Sequence, residues 1–196
     1  MTGQRILKCF VGFVQTCRHF ILQQTFIYDS PYWTDKNTYG IPEGEKGLDQ
    51  EETKLPTYWN TPFTKICLGM KIPGEDTRFL VLEKNATSLH ALISDDKYRP
   101  TTLGRDSWKT LIGSQASLQL NCNREGFNVV SNNIDFSKAR IGYMSNQENE
   151  CNTGDSRIGF GTGGHQDRLN SCGNEATHSP DNGDKHIKAM GYILVQ

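Results

Sequence analysis

Residues 145–184 read SNQENECNTGDSRIGFGTGGHQDRLNSCGNEATHSPDNGD, and the way this stretch is ordered decides what fold the chain can have. It holds Cys151 and Cys172, a dense scatter of Asn, Asp and Glu, and the glycines Gly159, Gly161, Gly163 and Gly164. So little of it is apolar that hydrophobic burial is not expected to order it. A segment of that composition is either disordered or held by something other than a core. Its cysteines and oxygen-bearing side chains point to two such devices, a disulfide and a calcium ion.

Calcium takes roughly six to eight oxygens from carboxylates, amides and backbone carbonyls in an irregular loop. Asn146, Glu148, Glu150, Asn152 and Asp155 stand before Gly159, and Asn174, Glu175, Asp181, Asn182 and Asp184 stand after it. The candidate metal ligands are Asn146, Glu148, Asn152, Asp155, Glu175, Asp181, Asn182 and Asp184, with Asp155, Asp181 and Asp184 foremost. The spacing is not that of an EF-hand. Any one of these acids is most simply a solvated side chain. The argument for a metal is the set, flanked by two cysteines and opening onto glycine-rich backbone.

The run IGFGTGG superficially resembles a phosphate-cradling loop, but that chemistry needs a strand before it and a helix directly after. HQDRLNSCGNE is not an apolar helix, so nucleotide binding is not expected, and the glycines are read as places where the backbone turns tightly. His165 and His178 lie among the acids and are the candidate ligand-binding side chains. With His186 they would act as bases only beside a nucleophile, and none is identifiable. No catalysis is expected.

Outward from this stretch the periodicities place the scaffold. FTKICLGMKI, residues 63–72, alternates Ile66, Leu68, Met70 and Ile72 against Lys65, Cys67, Gly69 and Lys71, which predicts a strand. Pro73-Gly74 closes it and RFLVLE, residues 78–83, returns as a hairpin. Residues 87–94 and 104–112 carry apolar side chains at helical spacing and predict two short helices. QLNCNREGFNVV places Cys122 in a polar stretch ahead of a strand, and KARIGYM alternates Ala139, Ile141 and Tyr143. HIKAMGYILV, residues 186–195, is apolar on both faces and reads as one central strand buried on both sides. The aromatics of residues 25–59 are expected to pack rather than to form a binding platform. The fold class is therefore α+β, an antiparallel sheet with short helices and a long ordered calcium-type loop region near the C-terminus.

Composition sets the outer bounds. With 35% hydrophobic residues and 19 glycines among 196, the core is modest and covalent or metal staples are expected. The net charge of −1 offers no basic stripe for nucleic acid, and no apolar run reaches the ~18 residues of a membrane span. Cys9, Cys17, Cys67, Cys122, Cys151 and Cys172 lack zinc spacing. The last four lie in the patterned region, and an even number there fits two disulfides in an oxidising compartment. Asn85-Ala-Thr is an acceptor triplet for N-glycosylation. Residues 1–24 form an atypical N-terminal segment. A poor signal peptide, an amphipathic helix and a truncated or misjoined start are its readings, the last two preferred.

The segments YWNTPFTKICLGMKI, RDSWKTLI, NCNREGFNVV, ARIGYMSNQENECNTGDSRIGFGTGG and SCGNEATHSPDNGDKHIKAMGYILVQ resemble a group of secreted cnidarian skeletal organic matrix proteins over residues 25–196. More distantly the chain is similar to the fibrinogen-related superfamily, nearest the intelectins, or X-type lectins. The carriers of that likeness are CNTGDSRIGFGTGG, the following SCGNE and a final buried strand. The resemblance implies a secreted, extracellular, fibrinogen C-terminal-like domain over 25–196. In such lectins a Ca²⁺ in this region takes vicinal hydroxyls of a sugar. It implies no enzyme activity, with glycans or extracellular matrix proteins as partners. Intelectins carry an acid–histidine pair where Gly154 and Asp155 stand here, so that part of the sugar site is altered. The family's opening strand and cysteine have no match in residues 1–24. The pairing expected for the cysteines is Cys67 with Cys122 and Cys151 with Cys172, one of the three arrangements that four cysteines allow.

Overall fold

A computed structural model describes residues 25–41 and 51–196. The reading of residues 1–24 lies outside the described residues. Among the described residues nine strands form two antiparallel sheets. β1 (Phe63–Lys71), β2 (Arg78–Ala86) and β9 (Met190–Val195) make a three-stranded sheet in the order β2-β1-β9. The other sheet has six strands in the order β3-β4-β5-β6-β7-β8. They are β3 (Arg99–Pro100), β4 (Asn121–Val130), β5 (Lys138–Asn146), β6 (Ser156–Gly163), β7 (Cys172–Ala176) and β8 (Lys185–Lys188). Among the described residues the one-turn helices α1 (Thr57–Asn60), α2 (Leu89–Ile93) and α3 (Arg105–Lys109) fill out the α+β architecture.

The expected hairpin of β1 and β2 forms, with Ile66, Leu68 and Met70 buried in the core. Both predicted helices form as well, each shortened. The Ser88 hydroxyl caps α2 by accepting from the Ala91 N–H at 3.1 Å, and Trp108 of α3 is fully buried. The apolar faces of the two sheets share one core with these helices and with Phe26, Trp33 and Tyr58 from the early aromatic segment. Those aromatics pack, as their setting implied. They also enclose Lys54, whose ammonium lies 4.9 Å from the Tyr58 ring centroid and 2.6 Å from an Asp35 oxygen.

Two strand readings are corrected. The stretch 145–184 is not a long loop, because it contributes β6 and β7 to the middle of the six-stranded sheet, with every residue of both strands buried. Backbone ladders are indifferent to side-chain hydrophobicity, so a polar segment is ordered wherever its N–H and C=O groups are paired on both sides. The glycines serve close approach here. Gly142 and Gly159 face one another across β5 and β6, and a Cβ on either would come within 2.6 Å of a carbonyl oxygen of the opposite strand. Gly161, at φ +59°, lies against the Trp33 ring. HIKAMGYILV, for its part, is two strands in different sheets. The chain changes sheets at Ala189, whose N–H donates to the Cys172 carbonyl at 3.0 Å. β9 is an edge of the small sheet, whose central strand is β1.

Candidate functional site

The second face of the six-stranded sheet is polar, and loops of the same chain cover it. Register places Arg124, Met144, Arg157, Glu175 and His186 side by side across β4 to β8. Arg157 and Glu175 are both 0% exposed. The Arg157 guanidinium donates to the carbonyls of His165 (3.2 Å) and Asp167 (2.6 Å). Burial pulls it down to about 10, against the opposing charges of Glu175 and Asp167, so it stays charged at neutral pH. Glu175 accepts from the Asn170 amide at 2.5 Å and has the His186 Nδ1 at 2.6 Å. The His186 side chain is 58% exposed, so a buried carboxylate orients an imidazole that faces solvent.

Two loops close over this face. Residues 147–155 fold back from β5 until the Asn132 and Asn133 N–H groups donate to the carbonyls of Cys151 and Asn152. Residues 164–171 come from β6, and the two meet where Gln166 Nε2 donates to Asp155 Oδ1 at 3.1 Å. Gln119 ties the 147–155 loop to the β7–β8 loop. Its amide donates to Gln147 Oε1 and to the carbonyls of Thr177 and His178, while its Oε1 accepts from the Asp155 N–H.

The expected metal ligands belong to separate hydrogen-bonded groups. Asn146 is buried and donates to the carbonyl and Oε1 of Glu150, whose other oxygen accepts the Asn152 N–H. Asn152 Oδ1 accepts from Asn132, and Glu148 is exposed beside Gln147. Asp155 sits apart with Gln166 and with His178, 3.5 Å from its Oδ2. Glu175 is committed to Asn170 and His186. Asp181 accepts from Arg105 (2.8 Å), Lys109 (2.7 Å) and the Leu118 N–H, and despite partial burial these donors hold its carboxyl at about 2. Asn182 turns its amide N–H groups to the carbonyls of Ser114 and Ala116, and Asp184 is exposed. As placed, the eight do not converge on one ion. Among the described residues no three of His, Cys, Asp and Glu gather into a group that could hold a metal.

Both expected cysteine pairings give way to Cys122–Cys151. Between the pairs Asn121↔Asn146 and Arg124↔Met144, β4 carries one residue more than β5, and Cys122 and Asn123 of this bulge have positive φ. The bulge lies at the end of β4 where the 147–155 loop leaves β5, and the two Cα atoms come within 5.1 Å. Cys67 and Cys172 are instead buried, on β1 and β7. The two candidate ligand-binding histidines, His165 and His178, lie apart. His178 follows β7 and His165 follows β6, which lie at opposite ends of an antiparallel pair, and His165 packs against Phe136.

A cleft of about 370 Å³ opens near His165, lined by Tyr28, Ile134, Lys138, Gly164, Arg168 and Leu169 among others. Ile134 and Leu169 are its exposed apolar side chains, and ion pairs Lys138–Asp29 (2.7 Å) and Arg168–Asp135 (3.7 Å) flank them. Its walls come from four separate segments, so nothing in the local sequence marked it. Gln119 is likewise unmarked by its sequence neighbours, and Arg157 is not among the candidate site residues. The signal for Arg157 was present, as a lone charge inside a glycine-rich run. No family model matches the chain, and no curated protein or solved structure matches it either. Among the described residues no helix is long and apolar enough to cross a membrane.

Proposed function

We propose that the chain is a secreted, non-enzymatic recognition domain of fibrinogen-like and lectin-like type, acting on glycans or extracellular matrix proteins with calcium as cofactor. The observation that carries this reading is the Cys122–Cys151 disulfide, which fastens an oxygen-rich loop to the sheet. Structural disulfides persist in oxidising compartments, and a tethered loop with several carboxylates and amides is the setting calcium uses. Within this loop Glu148, Glu150 and Asn152 are the side chains that would take part. Glu150 would give up its bonds to Asn146 and Thr153 to do so. The likeness to skeletal organic matrix proteins and intelectins supports the same reading. The test is the melting temperature with calcium and with chelator. At roughly a hundredfold excess over Kd, binding stabilises by about 2.7 kcal/mol and raises Tm by about 5–10 °C. An unchanged midpoint at saturating calcium removes the metal.

A second reading, a structural matrix component without sugar specificity, is favoured by one feature. Glu175, Asp181 and Asn182 already spend their polar atoms on partners inside the protein. Calcium-dependent retention on a glycan array supports the recognition domain. Binding to calcite with no glycan selectivity supports the matrix component.

A further inference from the structure

Asn85-Ala86-Thr87 is the one N-x-S/T triplet in the sequence, and its surroundings distinguish it from a chance occurrence. Asn85 and Thr87 are both exposed, and the chain bends at Thr87 as it leaves β2. The register runs Lys65↔Glu83 and then Phe63↔Ala86, so two steps on β1 oppose three on β2. The extra residue is a bulge at Lys84–Asn85, which loosens the ladder where a transferase must reach the amide. Among the described residues no hydrogen bond engages the Asn85 side chain, and β2 pairs on one side only, with β1. Its open edge carries Phe79, 44% exposed. Such an edge is a template for pairing with another strand unless something blunts it, and a bulge with a lysine beside it does so only locally.

We propose that Asn85 is an N-glycosylation site and that its glycan covers the open edge of β2. In the transfer, Asn85 Nδ2 forms a bond to C1 of the first sugar of a lipid-linked oligosaccharide diphosphate. The bond from C1 to the phosphate oxygen breaks, the lipid diphosphate leaves, and the amide nitrogen loses one proton. The proposal rests on the secretory reading above, and the experiment separates the two by supplying a heterologous leader in a eukaryotic host. Intact mass of the secreted chain is measured before and after peptide:N-glycosidase F. One N-glycan is lost on treatment and residue 85 becomes aspartate. N85Q and T87A emerge unmodified, and T87S restores the glycan. A folded, secreted chain that is unmodified at Asn85 overturns the site, whatever the outcome with calcium. Size-exclusion chromatography at rising concentration then tests the covering role. The glycosidase-treated chain and N85Q self-associate while the glycosylated chain stays monomeric. Treated chain and N85Q that elute as the glycosylated protein does, at every concentration, overturn that role.

Discussion

The carboxylate of Glu125, on β4, is enclosed by four donors from the single segment 101–108. Oε2 accepts from Trp108 Nε1 (2.8 Å), the Thr101 hydroxyl (2.7 Å) and the Leu103 N–H (3.1 Å), while Oε1 accepts from the Gly104 N–H (2.8 Å). Burial alone would raise its pKa, but the donors outweigh burial and the pKa is lowered from the ordinary 4.5. A depressed folded value fixes the sign. The stability contributed by Glu125 is fully present above the ordinary value and is lost as pH falls through the folded one. E125Q is expected to cost about 2–3 kcal/mol at neutral pH, since it leaves donors mispaired around a neutral amide. Urea unfolding between pH 7 and pH 3 checks both statements, because the variant should lose less stability over that range than the parent. Parallel pH profiles would count against this account. Nothing in the local sequence marks Glu125, since its partners lie seventeen to twenty-four residues away.

Among the elements, β6 depends on what it lacks. G159V places side-chain carbons where Gly142 and the Ile141 carbonyl already stand, and overpacking of this kind costs about 3 kcal/mol. Thermal and urea unfolding measure the loss, and a stability within about 0.5 kcal/mol of the parent would show that the strands separate easily. The 147–155 loop depends on its disulfide. Cys122 and Cys151 are 29 residues apart, and closing a loop of that length in the unfolded chain corresponds to about 3.5 kcal/mol. C122S/C151S should lose stability on that order, and peptide mapping without reductant should recover residues 122 and 151 in one linked fragment. Recovery of Cys151 linked to Cys172 would restore the pairing expected from sequence. Here β1 and β5 are legible because alternation declares one apolar face, and β2 because it returns after the Pro73-Gly74 turn. β6 and β7 are not, because their few core side chains, Ile158 and Phe160 on β6 and Cys172 on β7, stand among glycines and polar residues that hide the pattern.

For the molecule as a whole, the two sheets share the main core, and among the described residues only a small cluster of Met190 and Tyr192 with Leu194, on β9, lies apart from it. Ile66 and Ile193 of the small sheet, Phe127 and Phe160 of the large one, and Trp33 and Trp108 between them belong to the same buried cluster. One shared core implies one cooperative unfolding transition. Tryptophan fluorescence and far-ultraviolet circular dichroism should therefore give coincident urea midpoints. Separate midpoints would show that the sheets unfold independently.

What the sequence determined by itself was the class of the fold and the bulk of its core. Alternating and helical periodicities are local, and with the Pro73-Gly74 turn that returns β2 they define β1, β5 and the two short helices from sequence alone. Tertiary structure alone decided the fate of residues 145–184. Their ordering comes from backbone hydrogen bonds to β5 and β8, from Arg157 and Glu175 buried against polar partners, and from a cysteine on β4. All of these are distant or degenerate in sequence. With only Ile158 and Phe160 on β6 and Cys172 on β7 reaching the core among glycines and polar residues, the period is too short to read, and pairing with β5 and β8 is what shows these segments to be strands.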